Sequence, residues 1–157
     1  MAKIILGLDP GIADTGYGII SYEKGKLLCL AYGSIKTEAK KDLSERLEIL
    51  DLELKKLIKK YQPEVVAVEQ LFFNKNVKTA LIVGQARGVL LLRIKKSGLK
   101  MLEFTPGQVK QAVAAYGRAS KNQVQKMVKI ILGLKSLPQP DDAADALAVA
   151  ICSSSFK

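Results

Sequence analysis

The first twenty residues carry the constraint that most narrows the fold. Ile4, Ile5, Leu6 and Leu8 form an apolar, β-branched run of the kind that fills a strand covered on both faces. Asp9 closes that run and Pro10-Gly11 follows at once, so the ladder ends and the chain turns. Thr15-Gly-Tyr-Gly-Ile-Ile20 resumes strand character, and the two runs are expected to pair as a hairpin. A carboxylate near the end of a core strand is costly unless something compensates it, and a metal ion is the usual answer. A lone Asp-Pro-Gly is no more than a capped turn. Asp9 needs partners from elsewhere in the chain.

The rest of the sequence supplies elements that can deliver them. Lys26-Leu-Leu-Cys-Leu-Ala-Tyr-Gly-Ser34 reads as a third strand, antiparallel to the second across Lys24-Gly25. Asp42-Leu-Ser-Glu45 has the spacing of a capping box, and Leu43, Leu47, Leu50, Leu54 and Leu57 give the following helix its apolar face. Pro63 stops that helix. Its lysines at 55, 56, 59 and 60 suit the helix dipole and are read as structural.

Glu64-Val-Val-Ala-Val-Glu69 is a short buried strand that ends in a second carboxylate. A helix crosses before it, so it is expected to run parallel to the first strand, with Asp9 and Glu69 at one sheet edge. That carboxyl edge is where sites form in open α/β sheets.

The loop from Gln70 to Asn76 carries adjacent aromatics, Phe72 and Phe73, of which one can pack inward. The helix after it repeats small residues at Ala80, Gly84 and Gly88, a smooth stripe suited to close approach of a second helix. Facing its own sheet is the plain alternative. Lys100 to Thr105 gives a fifth strand. Thr105-Pro-Gly-Gln108 and Ser120-Lys-Asn-Gln123 both look like capping boxes, with Gly117 and Gly133 closing the two helices they start. Lys110, Arg118, Lys121, Lys126 and Lys129 cluster on that pair. The stiff linker Pro138-Gln-Pro140 leads into a last helix from Asp141 to Ile151.

The expected order is β-β-β-α-β-α-β-α-α-α without internal repeat, one domain over 1–157. That corresponds to an α/β fold with a five-stranded mixed sheet, flanked by helices. Its first three strands are antiparallel, and its last two run parallel to the first.

Asp142 and Asp145 are three apart on the last helix and so share a face that is otherwise alanine and aliphatic. Asp141 is assigned to the N-cap, one residue outside the helix. An isolated Asp-x-x-Asp at a helix start needs nothing beyond dipole compensation to account for it. Two more carboxylates at strand ends weaken that account.

Composition then restricts the chemistry. The chain has no histidine, which removes Ser-His-Asp, Cys-His and histidine-ligated metal sites together. Four oxygen ligands without nitrogen or sulfur suit Mg²⁺, with Mn²⁺ as substitute, and two such ions would clamp a phosphodiester. Lys and Arg number 25 against 15 Asp and Glu, a net charge of +10, which favours a polyanionic partner and, with no basic amphipathic helix, nucleic acid over membrane. Cys29 and Cys152 are read as buried reduced thiols of a cytoplasmic protein, and no apolar stretch reads as an export signal or a membrane span.

On these residues the chain resembles the RuvC-type Holliday junction resolvases over essentially its whole length. The stretches are Ile5-Leu-Gly-Leu-Asp-Pro-Gly11, Thr15-Gly-Tyr-Gly18, Val68-Glu-Gln70, Gly84-Gln-Ala-Arg-Gly88, Gln108-Val-Lys-Gln111 and Asp142-Ala-Ala-Asp-Ala-Leu-Ala148. The resemblance implies a ribonuclease H-like fold, a homodimer and Mg²⁺, which the four carboxylates suit at two ions per site. It also implies symmetric nicking of four-way junction DNA in recombination and repair, alongside a branch-migration motor. Carried over, the metal-binding and catalytic set is Asp9, Glu69, Asp142 and Asp145. Phe72 becomes the wedge at the junction centre, and Lys110 and Lys121 match basic residues near the scissile phosphate. Arg118 and Asn76 are placed with them as DNA contacts, and Ala80, Gly84 and Gly88 as the dimer stripe. The nearest alternative is another ribonuclease H-like nuclease, acting on RNA–DNA hybrid or structured RNA. An actin-like nucleotide-binding domain would need a duplicated partner half, and a non-catalytic junction-binding module would not need four convergent carboxylates.

Overall fold

The computed structural model describes residues 1–70 and 76–156. The described residues form β1 (Lys3–Asp9), β2 (Asp14–Glu23), β3 (Lys26–Lys36), α1 (Leu43–Tyr61) and β4 (Val65–Glu69). They continue with α2 (Val77–Lys96), β5 (Lys100–Phe104), α3 (Pro106–Ala114), α4 (Lys121–Leu132) and α5 (Asp141–Ser154). The sheet order is β3-β2-β1-β4-β5. β1, β2 and β3 pair antiparallel, whereas β4 is parallel to β1 and β5 parallel to β4. The expected mixed sheet is the observed one.

Register places the two strand-end carboxylates side by side. Leu8 pairs with Val68, so Asp9 and Glu69 leave the same sheet edge one residue later. The β2–β3 hairpin turns at Lys24 and Gly25, both at positive φ (49° and 83°), the two-residue turn whose twist matches its strands. These strands extend past the ends read from sequence, because the ladder continues through polar residues, with a register shift between Ile19 and Ile20.

Each face of the sheet has its own core. Leu6, Leu8, Ile19, Val66 and Val68 face Leu54 of α1 and Leu90 and Ile94 of α2. On the other face Ile5, Ile20 and Ala67 meet α5, with Val109, Val113, Val124 and Val128 of α3 and α4 packed around it. A bidentate ion pair fastens α1 to α2: Arg93 Nε and Nη2 donate to the Asp51 carboxylate at 2.7 and 2.8 Å. The guanidinium holds the Asp51 carboxyl below its ordinary range.

Three helix ends depart from the sequence reading. Asp42 does sit at the N-cap of α1, but its side chain makes no capping hydrogen bond. α3 closes on Ala115, which takes the left-handed conformation itself (φ 56°), rather than on Gly117. Pro140 is the N-cap of α5, so Asp141 is the first helical residue, where its charge meets the helix dipole directly. The Thr105 and Ser120 capping boxes and the Gly133 cap form as read.

α5 is the central element. From Ala143 to Ser153 every residue except Asp145 is buried. It lies directly on β1 and β2 because the strands beneath it lack side chains at three points. A β-carbon on Gly7 would collide with the Ala146 carbonyl, one on Gly16 with the Asp142 carbonyl, and one on Gly18 with Leu147. Glycine is required here for close approach, not for turning. We expect Gly16→Ala to lift the start of α5 and cost about 1–3 kcal/mol, the usual range for overpacking. Urea unfolding against the parent protein measures it, and an unchanged midpoint would show that α5 slides without penalty.

Candidate active site

Two elements bring three acids to one spot. Asp9 ends β1, while Asp142 and Asp145 lie one turn apart at the start of α5, which the glycine floor holds against β1 and β2. Carboxylate oxygens of Asp9, Asp142 and Asp145 lie within 4.8 Å of one another. Glu69, at the end of β4, stands outside that trio but close enough to Asp145 to feel its charge. It lines a cavity of about 230 Å³ together with Pro106, Val109, Lys110, Lys121 and Asp145.

Packing acids this tightly has an electrostatic cost. Burial first, then the charges of Asp145, Glu69 and Asp142, push the Asp9 carboxyl far above the ordinary carboxylate range. Burial, and then Asp145, push Glu69 up to about 7, although Lys110 and Lys121 oppose the shift. Burial, Asp145 and Asp14 raise Asp142 as well. Asp14 is a participant that sequence reasoning missed. Nothing in its spacing sets it apart, and it approaches Asp142 only because β2 passes beneath α5, with Ser34 Oγ donating to its carboxylate at 2.9 Å.

The basic residues divide by position. Lys121 reaches Asp145 at 3.5 Å and Asp141 at 3.8 Å from an exposed side chain. Burial works against its charge, but Asp145 and Asp141 outweigh that and raise the ammonium above its ordinary value. Lys110 is half-buried on the cavity wall beside Glu69. Arg118 is exposed on the turn between α3 and α4. Asn76 serves the fold directly, since its side chain caps α2 by accepting from the Thr79 amide at 3.2 Å. Asp141 accepts from Gln125 at 3.2 Å and belongs to the helix start rather than to the carboxylate trio. Phe72 and Phe73 lie outside the described residues.

The small-residue stripe on α2 is only partly exposed. Ala80 is buried at 8% exposure within its own chain, which removes it from that surface. Gly88 is exposed with nothing near its missing β-carbon, and Gly84 is half-buried. Val77, Leu81 and Leu92, all more than half exposed, share the helix face with these glycines.

Oxygen-only donors in a desolvated cluster fit a hard divalent cation, because such an ion relieves the repulsion that raises Asp9, Glu69 and Asp142. Asp9, Asp142 and Asp145 could hold it, with Glu69 adjoining. Among the described residues no helix is long and apolar enough to cross a membrane. Cys29 is only half-buried, because β3 is an edge strand, while Cys152 is buried; both are free thiols.

A pH dependence follows for the metal-free protein. A carboxyl whose folded pKa is raised favours folding below its unfolded value and loses that advantage as pH climbs through the folded value. Glu69 therefore weakens the fold between about pH 4 and 7, and Asp9 continues the loss above that. The thermal midpoint in chelator should fall from pH 5 to 9, and Asp9→Asn should flatten the decline. A flat parent profile would mean that the acids are better solvated than their burial indicates.

Comparison with known proteins agrees with this geometry. The family model described as "Crossover junction endodeoxyribonuclease RuvC" matches residues 5–153. A crossover junction endodeoxyribonuclease RuvC of Ruminiclostridium cellulolyticum is 57% identical over 149 residues, 95% of this chain and 90% of that protein. Thermus thermophilus RuvC superposes with a TM-score of 0.88 at 35% identity, covering 96% of this chain and 93% of that one. The same protein in complex with a Holliday junction substrate gives 0.92 at 35% identity, covering 97% and 93%.

Proposed function

The chain belongs to the crossover junction endodeoxyribonuclease RuvC family, and on that premise we infer that it resolves four-way DNA junctions by nicking two strands. The observation that carries this reading is the convergence of Asp9, Asp142 and Asp145, with Glu69 beside them, inside an otherwise basic protein. The solved Thermus thermophilus complex with a Holliday junction substrate supports the substrate class. A preference for RNA–DNA hybrid is not favoured by the family match.

We assign the metal to Asp9, Asp142, Asp145 and Glu69, and propose Mg²⁺, two ions per site. When bound, it would polarise the phosphodiester and lower the pKa of the attacking water. The chain's own residues do the rest. Lys110 and Lys121 flank the cavity and offer their ammonium groups to the phosphate backbone. The apolar wall of Val109, Val124 and Ala148 restricts water on the inner side. Lys121, already close to Asp145, is placed to follow charge that develops at the phosphate.

Removing a metal-binding carboxylate should therefore separate cutting from binding. With a synthetic immobile junction and Mg²⁺, the parent protein should cut symmetric strands and leave duplex and RNA–DNA hybrid largely intact. Asp145→Asn should slow cutting at least about hundredfold, since metal polarisation supplies several kcal/mol. Junction affinity in Ca²⁺ should survive. Parallel loss of affinity in a folded variant would refute the assignment, and preferred cutting of hybrid would replace the substrate.

Two cuts related by a two-fold axis call for two equivalent sites, and we propose an isologous homodimer. Support comes from α2, which leaves Val77, Leu81 and Leu92 exposed alongside Gly84 and Gly88. An apolar helix face with small residues at its centre suits a copy of itself. Gly88→Glu has room in the monomer, so it should yield a folded monomer by sedimentation, with paired cuts reduced to single nicks. Retention of the dimer would move the interface elsewhere. Family resemblance supports a branch-migration motor as partner, and the free thiols of Cys29 and Cys152 support a cytoplasmic location.

A further inference from the structure

The turn that follows Asp9 is tied down more heavily than a surface turn requires. It runs from Pro10 to Ala13 and joins Asp9 to Asp14. The carbonyls of Gly11, Ile12 and Ala13 are all engaged: the Thr15 hydroxyl donates to Gly11, the Thr37 hydroxyl to Ile12, and the Thr37 amide to Ala13 at 3.0 Å. Thr15 is fully buried and Thr37 only 8% exposed. Thr37 lies outside β3 in the segment leading to α1, so the anchor comes from a different part of the fold than the turn it holds.

Behind Thr37 stands Arg46, in the first turns of α1. Its Nε donates to Thr37 Oγ1 at 2.9 Å, and its Nη2 reaches the Thr37 carbonyl at 3.5 Å. A guanidinium can only donate, so accepting from it leaves the Thr37 hydroxyl proton committed to Ile12. The chain Arg46–Thr37–Ile12 therefore has one direction, and its hydrogen bonds reinforce each other. Arg46 makes no ion pair among the described residues; Thr37 is its partner instead.

Asp9 gives such an anchor a purpose. It is half-buried and repelled by Asp145, Glu69 and Asp142, so any slack in the turn would let its carboxylate swing outward to relieve that repulsion. We propose that Thr37 and Arg46 are positioning residues for the Asp9 carboxylate, acting through the Gly11–Ala13 carbonyls and touching neither phosphate nor metal. The proposal rests on the reading of Asp9 as part of the reacting site.

The test compares Thr37→Val, which keeps the shape and loses the hydroxyl, with Thr37→Ser, which keeps the hydroxyl, and with Arg46→Ala. Three quantities are read on the full chain. They are the single-turnover cutting rate at saturating enzyme, junction affinity in chelator, and the rise in thermal midpoint that Mg²⁺ produces without DNA. Thr37→Val and Arg46→Ala should slow cutting by about tenfold or more, the scale expected for a misplaced catalytic group. Affinity should stay within about twofold of the parent, and the Mg²⁺-induced rise should shrink. Thr37→Ser should restore both. Should Thr37→Val fail to fold, Arg46→Ala and Thr37→Ser carry the comparison. A rate unchanged at saturation, a loss of affinity in step with the rate, or a serine variant no better than valine would each overturn the proposal. Asp9→Asn, run alongside, separates the two readings: if it still cuts, the role of Asp9 is wrong, whereas an inactive Asp9→Asn with a normal Thr37→Val leaves only the strut refuted.

Discussion

The contact between α5 and the two strands beneath it sets the rest of the structure. A helix laid on a sheet normally stands off by the length of the side chains between them. Here Gly7, Gly16 and Gly18 remove those side chains under Ala146, Asp142 and Leu147, and the helix backbone drops toward the strands. Alanines along α5 continue the same logic from the other side. The result is a helix buried along nearly its whole length, whose first turn and a half is pressed against the end of β1. Distance between carboxylates is thus fixed by backbone approach, which is harder to deform than a rotamer.

That approach also creates the electrostatic problem that the active site exploits. Asp9, Asp142 and Asp145 are forced together where each is only partly open to water, and burial leads the causes that raise Asp9 and Asp142. A fold does not gather like charges for stability. It gathers them where a cation is to be held, and the basic excess outside the cluster is the complement that a polyanionic substrate requires. Lys110 and Lys121 mark the boundary between the two regimes, since both influence Glu69 while facing the cavity.

The supporting elements follow a consistent division. One sheet face carries α1 and α2, fastened to each other by the Asp51–Arg93 pair, and supplies rigidity together with an exposed apolar helix face. The opposite face carries α3, α4 and α5 and supplies the chemistry. Arg46 and Thr37 carry the rigidity of the first group toward the site, linking α1 to the turn after Asp9.

Local chemistry made much of this legible in the sequence. The β-branched runs, the Lys24-Gly25 turn and the two Thr/Ser-initiated capping boxes depend on near neighbours and form as read, and the parallel placement of β1 and β4 follows from the helix that crosses between them. The carboxylates at strand ends and on one helix face were legible because an acid in apolar company is costly unless a cation or a hydrogen-bond donor meets it. Glu69 standing apart from the trio was not legible, since ångström-scale separation depends on how α5 docks. Nor was Asp14, whose nearness to Asp142 comes from β2 passing beneath a helix more than a hundred residues later. The burial of Ala80 was not legible either, because helical spacing says which residues share a face but not which way that face turns. Sequence determined which groups could form a metal-binding acid cluster. Only the tertiary structure decided which of them meet, because that depends on backbone approach between segments far apart in the chain.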